Sequence, residues 1–308
     1  MVGVIASLMD SPPRWELFCH LLQSIKEQTH PLEELVIGMS FLNREEAHKY
    51  LSLWKSVSKP AYITLVTSTT ALTQGEMWKK ILDKQSERLA DGWLVFSDDD
   101  DLWHPRRVEL YKFNLKMASS AGVLPKISGI HAPYVHDDAP FGKLATKASD
   151  VDEMLREGAL SLQSFQCSTQ NYTDTCCRAS VFAEILQAST SAFRKHPYFD
   201  TILQRAVCQY KPAEFQSVAI RPEMLASVGC HNVWMYYWRN SAESMTTRLQ
   251  RKTSDPRDFY HLVCARPDLY RDALERCTPC QALALRAIGK AFKRGVGNFE
   301  NYVDFSYL

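Results

Sequence analysis

Four consecutive aspartates, Asp98 to Asp101, have the residue type and spacing best suited to chemistry in this chain. They follow the apolar run 93–97, and Trp103 and Pro105 come shortly after them. Adjacent carboxylates repel one another, so such a cluster is typical either of a solvated acidic turn or of a site where a cation offsets the repulsion. At the end of a strand, an Asp-x-Asp spacing projects alternate carboxylates to one side, where their oxygens suit Mg²⁺ or Mn²⁺. Such a cation would bridge the phosphates of a nucleotide.

Three other interpretations of the cluster compete with a metal–nucleotide site. A calcium loop is excluded, because Leu102 and Trp103 stand where an EF-hand requires an oxygen ligand and a turning glycine. A phosphatase-type nucleophile is disfavoured, because such an aspartate is expected on the first strand of its fold and this cluster follows the fourth. The solvated acidic turn stays open as the plain alternative.

The segments before the cluster alternate between short apolar runs and amphipathic stretches with helical spacing. The predicted strands are VGVIASL, EELVIGMS, AYITLVTS and GWLVFS, and the predicted helices are SPPRWELFCHLLQSIKEQ, EEAHKYLSLWKSV and QGEMWKKILDKQSERLA. Such alternation with short links predicts parallel strands joined by right-handed crossovers in an open α/β sheet. Ligands of these sheets bind outside the carboxyl ends of the strands, which is where the four aspartates are expected.

The elements expected after the cluster are less regular. A helix is predicted from Arg106, then a strand near KISGIHAPYV, a loop-rich stretch over 137–165, a strand and helix in YTDTCCRASVFAEILQA, a helix in YFDTILQRAVCQY and a strand in NVWMYYWR. The chain is expected to be mostly helical after Asp255. We therefore expect one domain over residues 1–254 and a helical C-terminal extension over residues 255–308.

The bulk composition places the chain in a broad class. Its 308 residues are 45% hydrophobic and 23% charged, as in an ordinary soluble globular protein. A net charge of +1, with basic and acidic residues interspersed, predicts no nucleic-acid partner. The sequence shows no export signal and no apolar window of about 18 residues, and its nine irregularly spaced cysteines favour reduced thiols. Together these features favour a cytoplasmic protein.

The C-terminal stretch QALALRAIGKAFKRGVG is amphipathic and has a basic side. Peripheral contact with a membrane through this basic helix is one interpretation, and it would suit a lipid-linked acceptor. A packed terminal helix with a solvated face is the commoner alternative.

Several phrases occur in a characteristic order along the chain. They are VGVIAS, SIKEQTHPLEELVIG, SDDDDLWHP, CCRASVF, YFDTILQRAV and YYWRNSAESMT. In this order they resemble the family 2 glycosyltransferases of the GT-A fold over residues 2–250, and the aspartate phrase with its Trp-x-Pro is the most specific part. The resemblance implies an open, mostly parallel sheet flanked by helices, with a Rossmann-like nucleotide-binding half and an acceptor half.

The resemblance also implies an activity. It implies a metal-dependent, inverting enzyme that transfers a hexosyl or pentosyl unit from a nucleoside diphosphate sugar, UDP-sugars first, to a hydroxyl group of a glycan or glycoconjugate. In the family's DXD motif, Asp98 and Asp100 would bind Mn²⁺ or Mg²⁺, and Asp98 and Asp99 would lie against the nucleotide. Asp101 is expected to cap the following turn or to orient its neighbours. Asp200, in the phrase YFDTILQR, is implied as the base that takes the acceptor proton, and a helix N-cap is its structural alternative.

Three further residues are expected near the nucleotide. Ser7 is near the end of the first predicted strand and Asp10 comes just after it, where the nucleotide of such a fold lies. Asp10 is equally suited to capping the helix that begins after Ser11. Lys79 falls near the position of a family arginine that faces phosphate, and an ordinary surface lysine is its alternative.

Two positions depart from the family. The second strand ends in the sequence IGMS (37–40), where the family has Asp-Asp-Gly-Ser, and Ser241 stands where the family often has a histidine. Base recognition must therefore differ, and a histidine metal ligand is not expected. These departures keep open a non-catalytic nucleotide-sugar-binding or scaffold domain. A metal-dependent nucleotidyltransferase is a further alternative, although the glycine-rich basic loop it needs after the first strand is missing from ASLMDSPPRW.

Overall fold

The computed structural model describes residues 1–89, 92–132, 134–136, 148–156, 160–164, 172–189, 191–195, 199–200, 203, 207, 214–220 and 235–239. Strands and helices alternate over the first hundred residues. They are β1 (Val2–Met9), α1 (Pro12–Lys26), β2 (Glu34–Phe41), α2 (Arg44–Ser56), β3 (Ile63–Ser68), α3 (Gln74–Leu89) and β4 (Trp93–Ser97). The seven elements predicted for this part of the chain are thus confirmed.

The second half of the fold differs more from expectation. Its elements are β5 (Leu102–Trp103), α4 (Arg107–Ser120), β6 (Ile127–His131), β7 (Tyr134–His136), α5 (Ala148–Arg156), β8 (Leu160–Ser164), β9 (Thr175–Arg178), α6 (Ala179–Ala188), α7 (Ser191–Arg194), β10 (Glu214–Ile220) and β11 (Tyr236–Trp238), with 3-10 helices at Leu124–Lys126 and Tyr172–Asp174. The stretch expected to be loop-rich contains α5 and β8, and β10 was not predicted. The proposed extension over 255–308 lies outside the described residues.

Among the described residues, the main sheet has eight strands in the order β3-β2-β1-β4-β9-β6-β10-β8. The first four strands are parallel to one another, as predicted, and β6 is parallel to β10. The exceptions are β9, which runs antiparallel to both of its neighbours, and β8, which runs antiparallel to β10. A second sheet of three short strands has the order β5-β11-β7. The carboxyl ends of β1, β2 and β4 therefore meet at one edge of the main sheet.

Both faces of the main sheet are covered. Alternate residues of each strand point to opposite faces, so Ile5 belongs to the core that contains α1, while Val4 belongs to the core that contains α3. The close packing of α3 depends on Gly38 in β2, because a Cβ there would lie 2.6 Å from the sulfur of Met77. In the described part of the chain, no helix has the length and apolar character needed to cross a bilayer.

Candidate functional site

The four aspartates form the loop between β4 and β5, at the carboxyl edge of the parallel strands. We call residues 98–101 the aspartate loop. Asp99, Asp100 and Asp101 are buried, with exposed fractions of 1%, 6% and 0%, and Asp98 is partly buried. A solvated acidic turn is therefore excluded, and the expected position at the strand ends is confirmed.

Asp101 anchors the end of the aspartate loop. Its Oδ2 accepts a hydrogen bond from the Tyr236 hydroxyl at 2.6 Å, and its Oδ1 accepts one from the Arg239 backbone N–H at 2.7 Å. The Tyr236 hydroxyl also accepts a bond from the Asp98 N–H at 3.1 Å. The Arg239 guanidinium donates to the backbone carbonyl of Asp100. Residues in and just after β11 thus hold the loop from one side.

Asp99 is bonded to residues near the start of the chain. Arg14, in the first turn of α1, donates from Nε to Oδ2 at 2.8 Å and from Nη2 to Oδ1 at 2.7 Å. The Ser7 hydroxyl, near the end of β1, also donates to Oδ2. Burial lowers the pKa of Arg14, but the surrounding carboxylates, Asp99 foremost, raise it by more, so this guanidinium stays charged. Contact of Ser7 and Asp99 with a nucleotide stays a prediction, since here they bond to each other.

Asp98 is oriented by two residues that the sequence did not single out. Its Oδ1 accepts hydrogen bonds from the Tyr172 hydroxyl and, at 3.1 Å, from Nε2 of Gln74. The same Gln74 amide donates to the Tyr172 hydroxyl at 2.5 Å, which closes a three-residue network. Oδ2 of Asp98 accepts no hydrogen bond from the residues that the structure describes. Gln74 and Tyr172 therefore fix the orientation of the Asp98 carboxylate through one of its two oxygens.

The charges of Asp100 and Asp200 both act on Asp98. Burial raises the pKa of Asp98, and the carboxylates of Asp100 and Asp200 raise it further. Burial also raises the pKa of Asp101, and Asp100 is again the next cause. Asp200 belongs to a segment about a hundred positions downstream, yet it lies close enough to raise the pKa of Asp98. The fold thus brings together the two predicted metal ligands and the predicted base.

The arrangement of Asp98 and Asp100 fits a hard divalent cation. Two repelling carboxylates at a largely buried strand end are stabilised in their charged form by a cation, and carboxylate oxygens are the donors that Mg²⁺ and Mn²⁺ prefer. Within the described ranges, no three His, Cys, Asp or Glu side chains are placed to hold a metal ion by themselves.

The remaining predicted residues lie in different settings. Asp10 follows β1 and contributes to the negative field around Arg14. Lys79 forms an ion pair with Asp83, one turn away along α3. Such an i, i+4 pair is common on helix surfaces, and a contact of Lys79 with phosphate stays a prediction. Ser241 and the basic C-terminal stretch lie outside the described residues.

A cavity of about 500 Å³ lies apart from the aspartate loop. Trp54, Lys59, Ile63 and Leu65 are among its lining residues, which places it at the amino end of β3. Since the aspartate loop is at the carboxyl ends of the neighbouring parallel strands, this cavity is not part of the candidate site.

Five residues that support the aspartate loop carry no functional signal of their own in the sequence. They are Arg14, Gln74, Tyr172, Tyr236 and Arg239. Tyr236 and Arg239 fall within the phrase YYWRNSAESMT, so the family resemblance pointed to their stretch without indicating what they contact. The other three are brought to the loop by the folding of distant segments, and no spacing along the chain marks them.

Comparisons with known proteins give structural neighbours but no sequence relatives. No protein-family model matches the sequence, and no curated protein sequence matches it significantly. The fold is similar to that of TarS residues 1–349 from S. aureus in complex with UDP-GlcNAc, with a TM-score of 0.52 and 11% identity over 99% of this chain and 76% of that one. A longer TarS structure gives a TM-score of 0.49 and 10% identity, and this chain covers 46% of it.

A mannosyltransferase from Pyrobaculum calidifontis, solved with GDP-Man and Mn²⁺, is more distant, with a TM-score of 0.39 and 14% identity over 95% of this chain and 74% of that one. Identities this low establish the fold and nothing finer. This chain has a mixed α/β fold with a mostly parallel central sheet flanked by helices, as in GT-A glycosyltransferases.

Proposed function

We propose that this protein is a metal-dependent, inverting glycosyltransferase that uses a nucleoside diphosphate sugar, with a UDP-sugar as the preferred donor. One observation carries the proposal: Asp98 and Asp100 lie in one loop at the carboxyl edge of the sheet, and Asp200 comes within electrostatic reach of Asp98. Nucleotides bind at this edge in open α/β sheets. The similarity of the fold to TarS in complex with UDP-GlcNAc supports a UDP-sugar.

The donor side of the proposed site is formed by the aspartate loop and the end of β1. Asp98 and Asp100 would hold the cation, which when bound offsets the negative charge on a leaving diphosphate. Ser7, Asp10 and Asp99 line the same edge and are the proposed neighbours of the nucleotide. Lys79 is a further proposed neighbour of the phosphates, although its ammonium pairs with Asp83 in this structure.

The acceptor side contains Asp200, the proposed general base. The oxygen of an acceptor hydroxyl forms a bond to the anomeric carbon of the sugar, and its proton passes to the Asp200 carboxylate. The bond between that carbon and the phosphate oxygen breaks, and its electron pair leaves with the diphosphate. A single displacement of this kind inverts the anomeric configuration. The acceptor is proposed to be a glycan or glycoconjugate.

Binding and turnover test the proposal on the purified full chain. Calorimetry with UDP and GDP, with Mn²⁺ and with a chelator, measures whether nucleotide affinity needs the cation. A panel of nucleotide sugars, with a coupled assay for released nucleoside diphosphate, measures turnover. We expect Asp100→Asn to remove the cation-dependent part of the affinity, while Asp83→Asn, a change of the same kind on the surface of α3, leaves it intact.

Each alternative function has its own outcome in this test. Equal affinity with and without Mn²⁺ would refute metal dependence. Tight binding with no turnover of any donor would favour the non-catalytic binding domain. Formation of a nucleotide sugar from a nucleoside triphosphate and a sugar phosphate, with release of pyrophosphate, would favour a nucleotidyltransferase.

A further inference from the structure

The first turn of α3 contacts both sides of the proposed site. Gln74 donates hydrogen bonds to Oδ1 of Asp98 and to the Tyr172 hydroxyl, at 3.1 Å and 2.5 Å. The next residue, Gly75, lies against Phe199, which immediately precedes Asp200. These two adjacent residues of α3 therefore contact both parts of the proposed site. One contacts Asp98 on the donor side, and the other contacts the residue next to Asp200 on the acceptor side.

The contact at Gly75 leaves no room for a side chain. A Cβ at this position would lie 2.8 Å from Cγ of Phe199 and 2.6 Å from the backbone oxygen of Arg194. Real Cβ atoms do not come this close to other atoms, and a backbone oxygen cannot move aside as the end of a flexible side chain can. The Arg194 oxygen is also bonded to the Thr73 hydroxyl at 2.7 Å. The absence of a side chain at Gly75 thus sets how closely Arg194 and Phe199 approach α3.

Aromatic packing one turn further along α3 joins the same parts of the structure. Trp78 is fully buried, and its ring centroid lies 5.0 Å from that of Tyr172, 5.6 Å from Phe96 and 6.1 Å from Phe199. Phe96 lies two residues before Asp98 on β4. Because packed aromatic rings interdigitate with few voids, a shift of one member is transmitted to the others.

We propose that Gln74 and Gly75 are positioning residues that set the separation between Asp98 and Asp200. Gln74 orients the carboxylate on the donor side, and Gly75 admits the segment that carries the carboxylate on the acceptor side. The inference rests on the proposed function, in which the base must lie within hydrogen-bond reach of the acceptor hydroxyl. A misplacement of about 1 Å is enough to lower a rate by about a hundredfold.

The two positions are expected to give different kinetic signatures. Gly75→Ala moves the segment of Asp200 and leaves the bonds to Asp98, so kcat should fall about tenfold or more while the affinity for UDP with Mn²⁺ stays within about twofold. Gln74→Leu removes the amide that orients Asp98, so affinity for UDP with Mn²⁺ should fall about tenfold. The matched control is Gly92→Ala, because a Cβ at Gly92 meets nothing within 4 Å.

Crystal structures of the wild type and Gly75→Ala measure the separation of the Asp98 and Asp200 carboxylates without any assay. An increase in Gly75→Ala, absent in Gly92→Ala, supports the inference. An unchanged separation with an unchanged kcat overturns it. If the wild type turns over no donor, the proposed function fails, and the measured separation still decides the positioning role of Gly75.

If Gly75→Ala does not fold, a second variant tests the positioning role. Thr73→Val keeps the shape of the side chain and removes the hydroxyl that bonds to the Arg194 oxygen. We expect the same pattern as for Gly75→Ala with a smaller effect on the rate: kcat falls, and the affinity for UDP with Mn²⁺ is unchanged. Wild-type values for both quantities in this variant overturn the inference.

Discussion

The Tyr172 hydroxyl donates a hydrogen bond to Oδ1 of Asp98, 74 positions earlier in the chain. Burial raises the pKa of Tyr172, and the negative charge of Asp98 raises it further, so the phenol keeps its proton and remains a donor. Since Oδ1 also accepts a bond from Gln74, rotation of the carboxylate is restricted. The bond therefore helps to fix which oxygen of Asp98 is left to face the proposed donor.

Replacing Tyr172 with Phe tests this orientation. The change removes the hydroxyl but keeps the ring that packs on Trp78, so the melting temperature should change little. A hydrogen bond to a charged group contributes about 1.5 to 3 kcal/mol, so the affinity for UDP with Mn²⁺ should fall about tenfold or more. Calorimetry measures the affinity.

A second tyrosine provides the control for this variant. Tyr50 is buried on α2 and packs against Trp15 and Phe41. Tyr50→Phe should leave the affinity for UDP with Mn²⁺ at its wild-type value. If Tyr172→Phe behaves like this control, Gln74 alone orients Asp98.

The bidentate pair between Arg14 and Asp99 gives a second prediction. Arg14→Met leaves the carboxylate of Asp99 in a buried position without its cation, and breaking a buried pair in this way costs about 3 to 5 kcal/mol. The double variant Arg14→Met/Asp99→Asn leaves no buried charge, so it should recover most of the lost free energy of unfolding. Urea denaturation of the two single variants and the double variant measures the coupling.

The same double variant tests the nucleotide contact predicted for Asp99. If Asp99 serves only to hold Arg14, the stable double variant should bind UDP with Mn²⁺ within a few-fold of the wild type. Loss of that affinity with recovered stability would instead support a direct contact. Equal stability of the single and double variants would show that the two residues are not coupled.

The first half of the fold was predictable from local patterns. Phe18, Leu21, Leu22 and Ile25 are spaced for one buried face of α1, and Pro12 suits the first helical turn. The parallel topology follows from such alternation, and it places the aspartates at the ligand-binding edge. In contrast, β8 has five residues and lies in the sheet because it pairs with β10, a contact that no local pattern shows.

The partners of the aspartates were not predictable for the same reason. The Tyr236 hydroxyl reaches Asp101 across 135 positions, and the Gln74 amide reaches Tyr172 across 98. Residue type and spacing identified carboxylates that could bind a cation. Which oxygen of Asp98 is held, and that Asp99 is paired with Arg14, depend on tertiary contacts alone.

A buried thiol in the middle of the sheet gives a prediction about pH. Cys176 lies on β9, and burial raises its pKa to about 12, whereas an unfolded cysteine has a pKa of about 8.5. Its folded-state pKa is the higher one, so its contribution to stability is complete below about pH 8.5 and is lost as the pH rises towards 12. The free energy of unfolding should therefore fall more steeply with alkaline pH in the wild type than in Cys176→Ala.

Urea denaturation at several pH values above neutrality measures this difference. Val181→Ala is the control, because it also shortens a buried side chain but removes no titrating group. Its stability curve should run parallel to that of the wild type across the pH range. A parallel curve for Cys176→Ala as well would be incompatible with a raised thiol pKa.

The last prediction concerns Asp200, whose loss should remove chemistry without removing donor binding. The proposed base contacts the acceptor and not the diphosphate, so Asp200→Asn should keep the wild-type affinity for UDP with Mn²⁺. Removal of a general base typically lowers the rate about 10²- to 10⁴-fold. Asparagine preserves the size of the side chain and most of its capacity to cap a helix, so a purely structural role should tolerate the change.

Three measurements on the same purified variant decide between these roles. They are the rate of sugar transfer, the nucleotide affinity and the melting temperature, with Asp83→Asn as the control because Asp83 is exposed on α3 and bonded to Lys79. A lost rate with retained affinity and melting temperature supports the base, because only the step that needs a proton acceptor is then affected. A lower melting temperature with a rate near the wild-type value points to the helix cap. A rate within a few-fold of the wild type at an unchanged melting temperature assigns proton removal to another acid.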